Sequence, residues 1–121
     1  MVRTGKKIFL ISPVRKVKAR ERMVIAAYAS MLEGWGYRVH WPERDTPQDD
    51  TIGLDICEHN QRCIVAADEV HIWYNKASQG SIFDFGMAFA LGKKLIIANK
   101  SAIEPTPRKS FENVLLAYAQ N

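Results

Sequence analysis

The stretch from Ala67 to Asn99, ADEVHIWYNKASQGSIFDFGMAFALGKKLIIAN, constrains the fold of this chain more than any other. It reads as strand, loop, helix, strand. Val70, Ile72 and Tyr74 alternate with His71 and Trp73 in a β-rich run. Asn75 to Gly80 has loop composition, and Gly80 can supply backbone angles closed to other residues. Ser81-Ile82-Phe83-Asp84 matches the [ST]-x-x-[DE] capping box, which predicts Ser81 as the helix cap and Asp84 as its partner. Phe83, Met87, Ala90 and Leu91 recur at helical spacing and predict the core-facing side, and Gly92 with Lys93 and Lys94 ends the helix. Leu95 to Ala98 is too short for a helix and suits a strand buried on both faces. A polar loop therefore leads into a helix N-terminus at the end of a buried strand. Sheets with helical crossovers bind anions there.

The remainder of the chain repeats the alternation. Lys7 to Ile11 predicts a first strand, closed by Ser12-Pro13-Val14-Arg15, where Pro13 removes a ladder donor. A helix follows from Ala19, with Val24, Ala27, Tyr28, Met31, Leu32 and Trp35 as its apolar face. Gly34 and Gly36 end it, and Tyr37 to Trp41 reads as a shorter, more polar edge strand. Pro42 to Gly53 is a proline- and acid-rich loop long enough to cover a site. Leu54 to Ala67 predicts a helix with Ile56, Cys63, Ile64 and Ala67 inward, and Ser110 to Gln120 a last one with Phe111, Val114, Leu115 and Tyr118 on one face. The pattern β-α-β-α-β-α-β-α predicts an α/β fold, a single doubly wound and mainly parallel sheet, flavodoxin- or Rossmann-like, with helices on both faces. In the flavodoxin-like order strands one and three are neighbours, and the crevice between them is flanked by Ser12–Arg15 and Asn75–Ser81.

With 121 residues, 47% of them hydrophobic, one domain spanning 1–121 can furnish a core. No apolar run is long enough to span a bilayer, and Met1 to Lys7 lacks a signal peptide's apolar segment, so a soluble cytoplasmic protein is expected. Cys57 and Cys63 lie too far apart on one predicted helix to pair, which agrees with a reducing compartment. The net charge of +4 is concentrated near the N-terminus, in Arg3, Lys6, Lys7, Arg15, Lys16, Lys18, Arg20 and Arg22 against Glu21. Such a segment can meet phosphate or simply be solvated. No zinc finger, RNP motif or aromatic–basic repeat directs it toward nucleic acid.

Several residues carry candidate chemistry. Arg15 can hold a phosphate through its planar fork, with Ser78, Gly80 and Ser81 adding hydroxyl and backbone N–H donors at the helix start. The alternative is a surface charge and a plain cap. Asp84 can attack an electrophilic carbon or orient a sugar hydroxyl, or it can merely close the capping box. Trp41 and Trp73 can wall a base pocket or fill the core. His71 inside a strand reads as a core residue. His59 and Cys63 stand one helical turn apart, but no fourth ligand has suitable spacing with them and Cys57, so packing is expected and no metal or cofactor.

IFLISPVR, AADEVHIW and SQGSIFDFGMAFALGKKLIIA together resemble the nucleoside 2-deoxyribosyltransferase-like family, which includes the 2'-deoxynucleoside 5'-phosphate N-hydrolases. The similarity runs from Ile8 to about Asn99, and its last block is the ordered set Gly80, Asp84, Gly86, Ala88, Gly92 and Lys93. The resemblance implies cleavage or exchange of the N-glycosidic bond of a nucleoside or its 5'-monophosphate through a glycosyl-enzyme. Asp84 stands where the family has its nucleophilic Glu, Ser78 where it has a phosphate-contacting serine, and Arg15 where it has the arginine of the phosphate loop. Ser12, Pro13 and Trp41 are then expected near the sugar and base. The resemblance also implies a homodimer or higher oligomer, with Asn99 or Ser101 as the residue lent to a partner. Two positions depart from the pattern. Asp84 is one methylene shorter than Glu, a retreat of roughly 1 Å that can cost on the order of 100-fold in rate. Asn60 stands where the family has an Asp, and it can hydrogen-bond but not deliver a proton as an acid. The alternative function is a catalytically weakened nucleotide-binding or sensor protein on the same fold.

Overall fold

The computed structural model describes residues 5–121; Arg3, counted above in the basic segment, lies outside the described residues. Four parallel strands, β1 (Lys7–Ile11), β2 (Arg38–His40), β3 (Glu69–Ile72) and β4 (Lys94–Ile97), form one sheet in the order β2-β1-β3-β4. Phe9 pairs in register with His40 on one side and Val70 on the other, and Val70 with Leu95. The predicted adjacency of strands one and three and the edge position of β2 are both present. β4 forms the opposite edge, which leaves its Ile96 half-buried rather than enclosed.

Alternation along β1 explains the two layers. Ile8 and Leu10 point to one face, where Ile25, Ala29 and Leu32 of α1 (Ala19–Gly34) pack with Val39 and Trp41. Phe9 and Ile11 point to the other, joined by Val70, Ile72, Leu95 and Ile97. That face is covered by Ile64 of α3 (Leu54–Ala66), Phe85 and Ala88 of α4 (Gln79–Ala90), and Leu115 of α5 (Phe111–Tyr118). All four apolar residues of β1 are at most 1% exposed, and each such burial is worth about 1.5–3 kcal/mol. His71 is a core residue, as expected. Its Nε2 bonds Glu69 at 2.8 Å and its Nδ1 bonds the Tyr28 hydroxyl at 2.6 Å, which satisfies a buried polar trio.

Three helix faces differ from expectation. On α1, Val24, Met31 and Trp35 are exposed, as is Ala27, while the smaller Ala29 lets the helix approach the sheet. On α4, the inward stripe is Ser81, Phe85 and Ala88, whereas Phe83 and Leu91 are exposed. On α5, Leu115 is buried but Phe111 and Val114 are not. The Pro42–Gly53 segment also contains a short helical turn, α2 (Pro42–Asp45). No helix among the described residues is long and apolar enough to cross a membrane.

Candidate active site

A cleft of about 750 Å³ opens beyond the C-terminal ends of β1 and β3, the place where chain connections diverge to opposite sides. Its lip on the β1 side comprises Ser12, Pro13, Val14, Arg15 and Lys16. Opposite stand Asn75, Ala77, Ser78, Gln79 and Gly80, followed by Phe83 and Asp84 one turn into α4. Pro42, Gln48, Asp50 and Gly53 close the third side, so the long loop does line the site. Ile56, Cys57 and Asn60 of α3 complete the floor.

The start of α4 is three residues, about one turn, earlier than the capping box predicts. Ser78 is the cap: its backbone is extended, at φ −92° and ψ 103°, and its Oγ accepts the Ser81 N–H at 3.2 Å. Ser81 lies inside the helix, 1% exposed, with its hydroxyl 2.8 Å from that of Ser78. It does not line the cleft; it props the serine that does. Gly80 is helical and has no positive φ, and a Cβ there would meet no protein atom. With no side chain at Gly80, nothing of that residue shields its own backbone N–H from the cleft, while the Ser81 N–H is held by Ser78.

The shifted start changes the meaning of Asp84. It sits in the second turn, outside a capping box, and on the same face as Gly80. The residue is 9% exposed, and no hydrogen bond or ion pair reaches its carboxylate among the described residues. Burial pushes its pKa up to about 7. Its negative charge and burial together hold the neighbouring Cys57 thiol above its usual range. Asp50, by contrast, is held low by backbone N–H donors, among them Ile52 at 3.2 Å and Ile56 at 3.1 Å, which tie the loop to the start of α3.

The cationic end of the cleft comprises Arg15 and Lys16. Arg15 is exposed and has no ion-pair partner among the described residues. Lys16 has φ 57°, a left-handed conformation unusual for a non-glycine residue, and lies at the turn that brings Arg15 to the lip. Other charges of the basic segment are used elsewhere: Arg22 pairs with Glu43 at 2.9 Å. Glu21 accepts from Trp73 Nε1 and Asn75 Nδ2, each at 3.1 Å, and so braces the loop carrying Ser78 against α1.

Trp41 does not wall the cleft. It is buried in the α1 layer, and its Nε1 donates to Ser12 Oγ at 3.0 Å, leaving the serine proton for a ligand. Trp73 likewise packs against that layer. Asn60 does reach the floor. Its Oδ1 accepts the Thr46 hydroxyl at 2.8 Å, so its amide NH₂ is what remains for the cleft. Asn99 is engaged within its own chain, its Oδ1 accepting from Tyr74 N–H and its Nδ2 donating to Tyr74 C=O, each at 2.8 Å. Cys57, Gln48, Asp50 and Phe83 were not legible as site residues. Their only sequence signal is position, on the loop and helices that bracket the crevice.

No family model and no curated protein matches the sequence. Solved structures do share its fold. A 2-deoxyribosyltransferase from Bacillus psychrosaccharolyticus superposes with a TM-score of 0.70 at 18% identity, over 93% of this chain and 82% of that one. A CMP N-glycosidase of Clostridium botulinum gives 0.60 at 20% identity, over 94% and 83%. A 2-deoxyribosyltransferase from Leishmania mexicana gives 0.59 at 22%, over 76% and 63%. The four-stranded parallel α/β fold is thus one that this chain shares with these two 2-deoxyribosyltransferases and this CMP N-glycosidase.

Proposed function

We propose that this chain is an N-glycosidase or 2-deoxyribosyltransferase acting on a nucleoside 5'-monophosphate or nucleoside. The observation that carries the reading is a buried carboxylate without partners, Asp84, in a cleft whose other end is an open helix N-terminus beside Arg15. The rise of about 1.5 Å per helical residue separates the Ser78 cap from Asp84 by roughly 9 Å along α4. A phosphate at the cap therefore leaves the sugar over the second turn. Arg15, Ser78 and the Gly80 N–H take the phosphate, and Lys16 adds charge. Ser12, Pro13 and the Asn60 amide face the sugar and base.

In this mechanism Asp84 attacks C1' as the carboxylate. The C1'–N bond breaks, its electron pair leaves with the base, and the base takes a proton from water. Water then attacks C1', and the C1'–O bond to Asp84 breaks. The attacking water's proton neutralises the hydroxide left by protonation of the base, releasing the sugar and restoring the carboxylate; a second base in place of water gives transfer. Burial raises the Asp84 pKa to about 7, so turnover is expected to rise with pH as the carboxylate forms. A homodimer belongs to the same reading, supported by the exposed apolar side chains Val24, Met31 and Trp35 on α1.

The test is incubation with a panel of nucleosides, 2'-deoxynucleosides and their 5'-monophosphates, with chromatography for free base. Release from a monophosphate is expected, with loss in Asp84→Asn and retention or gain in Asp84→Glu. Release that survives in Asp84→Asn excludes the nucleophile. If monophosphates raise the melting temperature but no base appears with Asp or Glu at this position, the chain is a nucleotide sensor.

A further inference from the structure

Behind the cleft floor, outside its lining residues, the structure brings together three side chains from distant positions. His59 and Cys63 stand one turn apart on α3, and His40 reaches them from the end of β2. A ring nitrogen of each histidine and the Cys63 Sγ all lie within 4.8 Å of one another. We propose that His40, His59 and Cys63 form a zinc-binding site with one open coordination position.

Ligand chemistry supports the assignment. Two imidazoles and a thiolate are the borderline-soft donors that zinc takes. With bonds of about 2.0–2.3 Å, tetrahedral zinc holds its donors roughly 3.3–3.8 Å apart, so a movement on the order of 1 Å closes the trio on the ion. All three side chains are half-buried, which leaves a path for the metal.

The hydrogen bonds around His40 point the same way. Thr46 Oγ1 has one proton, which it donates to Asn60 Oδ1 at 2.8 Å. It must therefore accept at its 2.8 Å contact with His40 Nε2, which fixes the proton of neutral His40 on Nε2 and the lone pair on Nδ1. A ligand histidine whose other N–H is held by a neighbouring oxygen is the usual arrangement at zinc. His59 also borders a hollow of about 220 Å³ with Asp49, Asp50, Asp55 and Arg62. Three carboxylates against one guanidinium make its entrance favourable to a cation. On binding, the Cys63 S–H bond breaks, the proton goes to solvent, and the Sγ–Zn bond forms.

The site would steady the His40–Thr46–Asn60 chain and, through it, the one amide that faces the cleft from α3. It needs nothing from Asp84, so its fate is separate from that of the catalytic proposal.

The experiment titrates the full chain with Co²⁺, an open-shell substitute for Zn²⁺. Expected is saturation at one equivalent, with a thiolate-to-cobalt charge-transfer band that Zn²⁺ bleaches. Cys57→Ser should keep the band and Cys63→Ser abolish it. His59→Ala, at a half-buried position, should weaken Zn²⁺ binding by at least about tenfold in competition calorimetry and serves if Cys63→Ser fails to fold. No charge-transfer band at one equivalent, a band that survives Cys63→Ser, or unchanged affinity in His59→Ala would overturn the site.

Discussion

Replacing Asp84 by Asn should stabilise the protein, and only at high enough pH. The carboxyl has its pKa at about 7 against an ordinary 3.8, and the cause is burial. An acid whose folded pKa is raised holds its proton more tightly in the folded than in the unfolded chain. Between pH 3.8 and about 7 the folded state therefore binds more protons, and stability falls as pH rises. Below that window Asp84 is neutral in both states and costs nothing electrostatically. Above it the folded chain carries a largely buried charge at the cleft wall, with no protein partner among the described residues. The rise from 3.8 to about 7, at roughly 1.36 kcal/mol per tenfold change in proton affinity, sets the full cost at about 4 kcal/mol. Asn has nearly the same shape and mimics the protonated acid at every pH.

The assay is urea denaturation of both proteins at pH 4.5, 6 and 8.5, supported by thermal melts. The variant's advantage should be within about 1 kcal/mol at the lowest pH and grow to about 4 kcal/mol at the highest. For a chain of this size that corresponds to a rise in melting temperature on the order of 10 °C. An equal gain at all three pH values would refer the effect to packing. No gain at pH 8.5 would mean that the carboxylate has partners after all, and the argument for a poised nucleophile would fall with it. Loss of base release together with gain of stability would show a group kept for chemistry at the expense of the fold.

Two further outcomes probe the anion end. Arg15→Ala should weaken a 5'-monophosphate by about 1.5–3 kcal/mol in calorimetry while leaving the parent nucleoside nearly unchanged; equal loss for both would remove Arg15 from the phosphate site. Ser78→Ala should lower stability by about 1 kcal/mol through the lost cap, whereas Ser78→Asp should keep the cap and stability yet repel the monophosphate; unchanged affinity in Ser78→Asp would place the phosphate elsewhere.

Strand order and the position of the crevice were legible because they depend on coarse features. Four apolar runs separated by helix-length segments admit few parallel topologies, and the loops after β1 and β3 carry the candidate phosphate-binding residues. Helix faces were less legible. Met23 to Ala29 is apolar without a break, so a stripe of period 3.6 can be drawn through Val24, Ala27 and Met31 as well as through Ile25, Ala29 and Leu32. The sheet chooses between them, since Ile8, Leu10 and Val39 leave room for the second set. The α4 cap failed for a related reason. Ser78 and Ser81 are three residues apart and both can cap; the Ser78–Ser81 hydrogen bonds, and the Asn75–Glu21 contact that fixes the loop before them, decide for the first. Trp41 depended on a partner far along the chain, Ser12, and His40 on the side chains of α3. Neither relation has a local signature.

The departures at positions 60 and 84 are connected. Among the described residues lining the cleft, Asp84 is a carboxylate that makes no hydrogen bond, and with burial its charge holds the Cys57 thiol up. An Asp at position 60 would put another carboxyl in the same floor, and the two would titrate as a coupled pair. With Asn60 the second group is neutral and its oxygen is already taken by Thr46. What remains toward the cleft is an amide donor, which can hold a hydroxyl or a base acceptor but supplies no proton at the leaving nitrogen. Under the proposed reaction the base departs with protonation by water alone, so base release should track leaving-group quality across a panel of substrates. Asp84, freed from a neighbouring negative charge, titrates alone, and its pKa is set by burial and not by a partner. In the proposed reaction, Asn60 thus costs the site an acid while leaving the Asp84 pKa to burial alone.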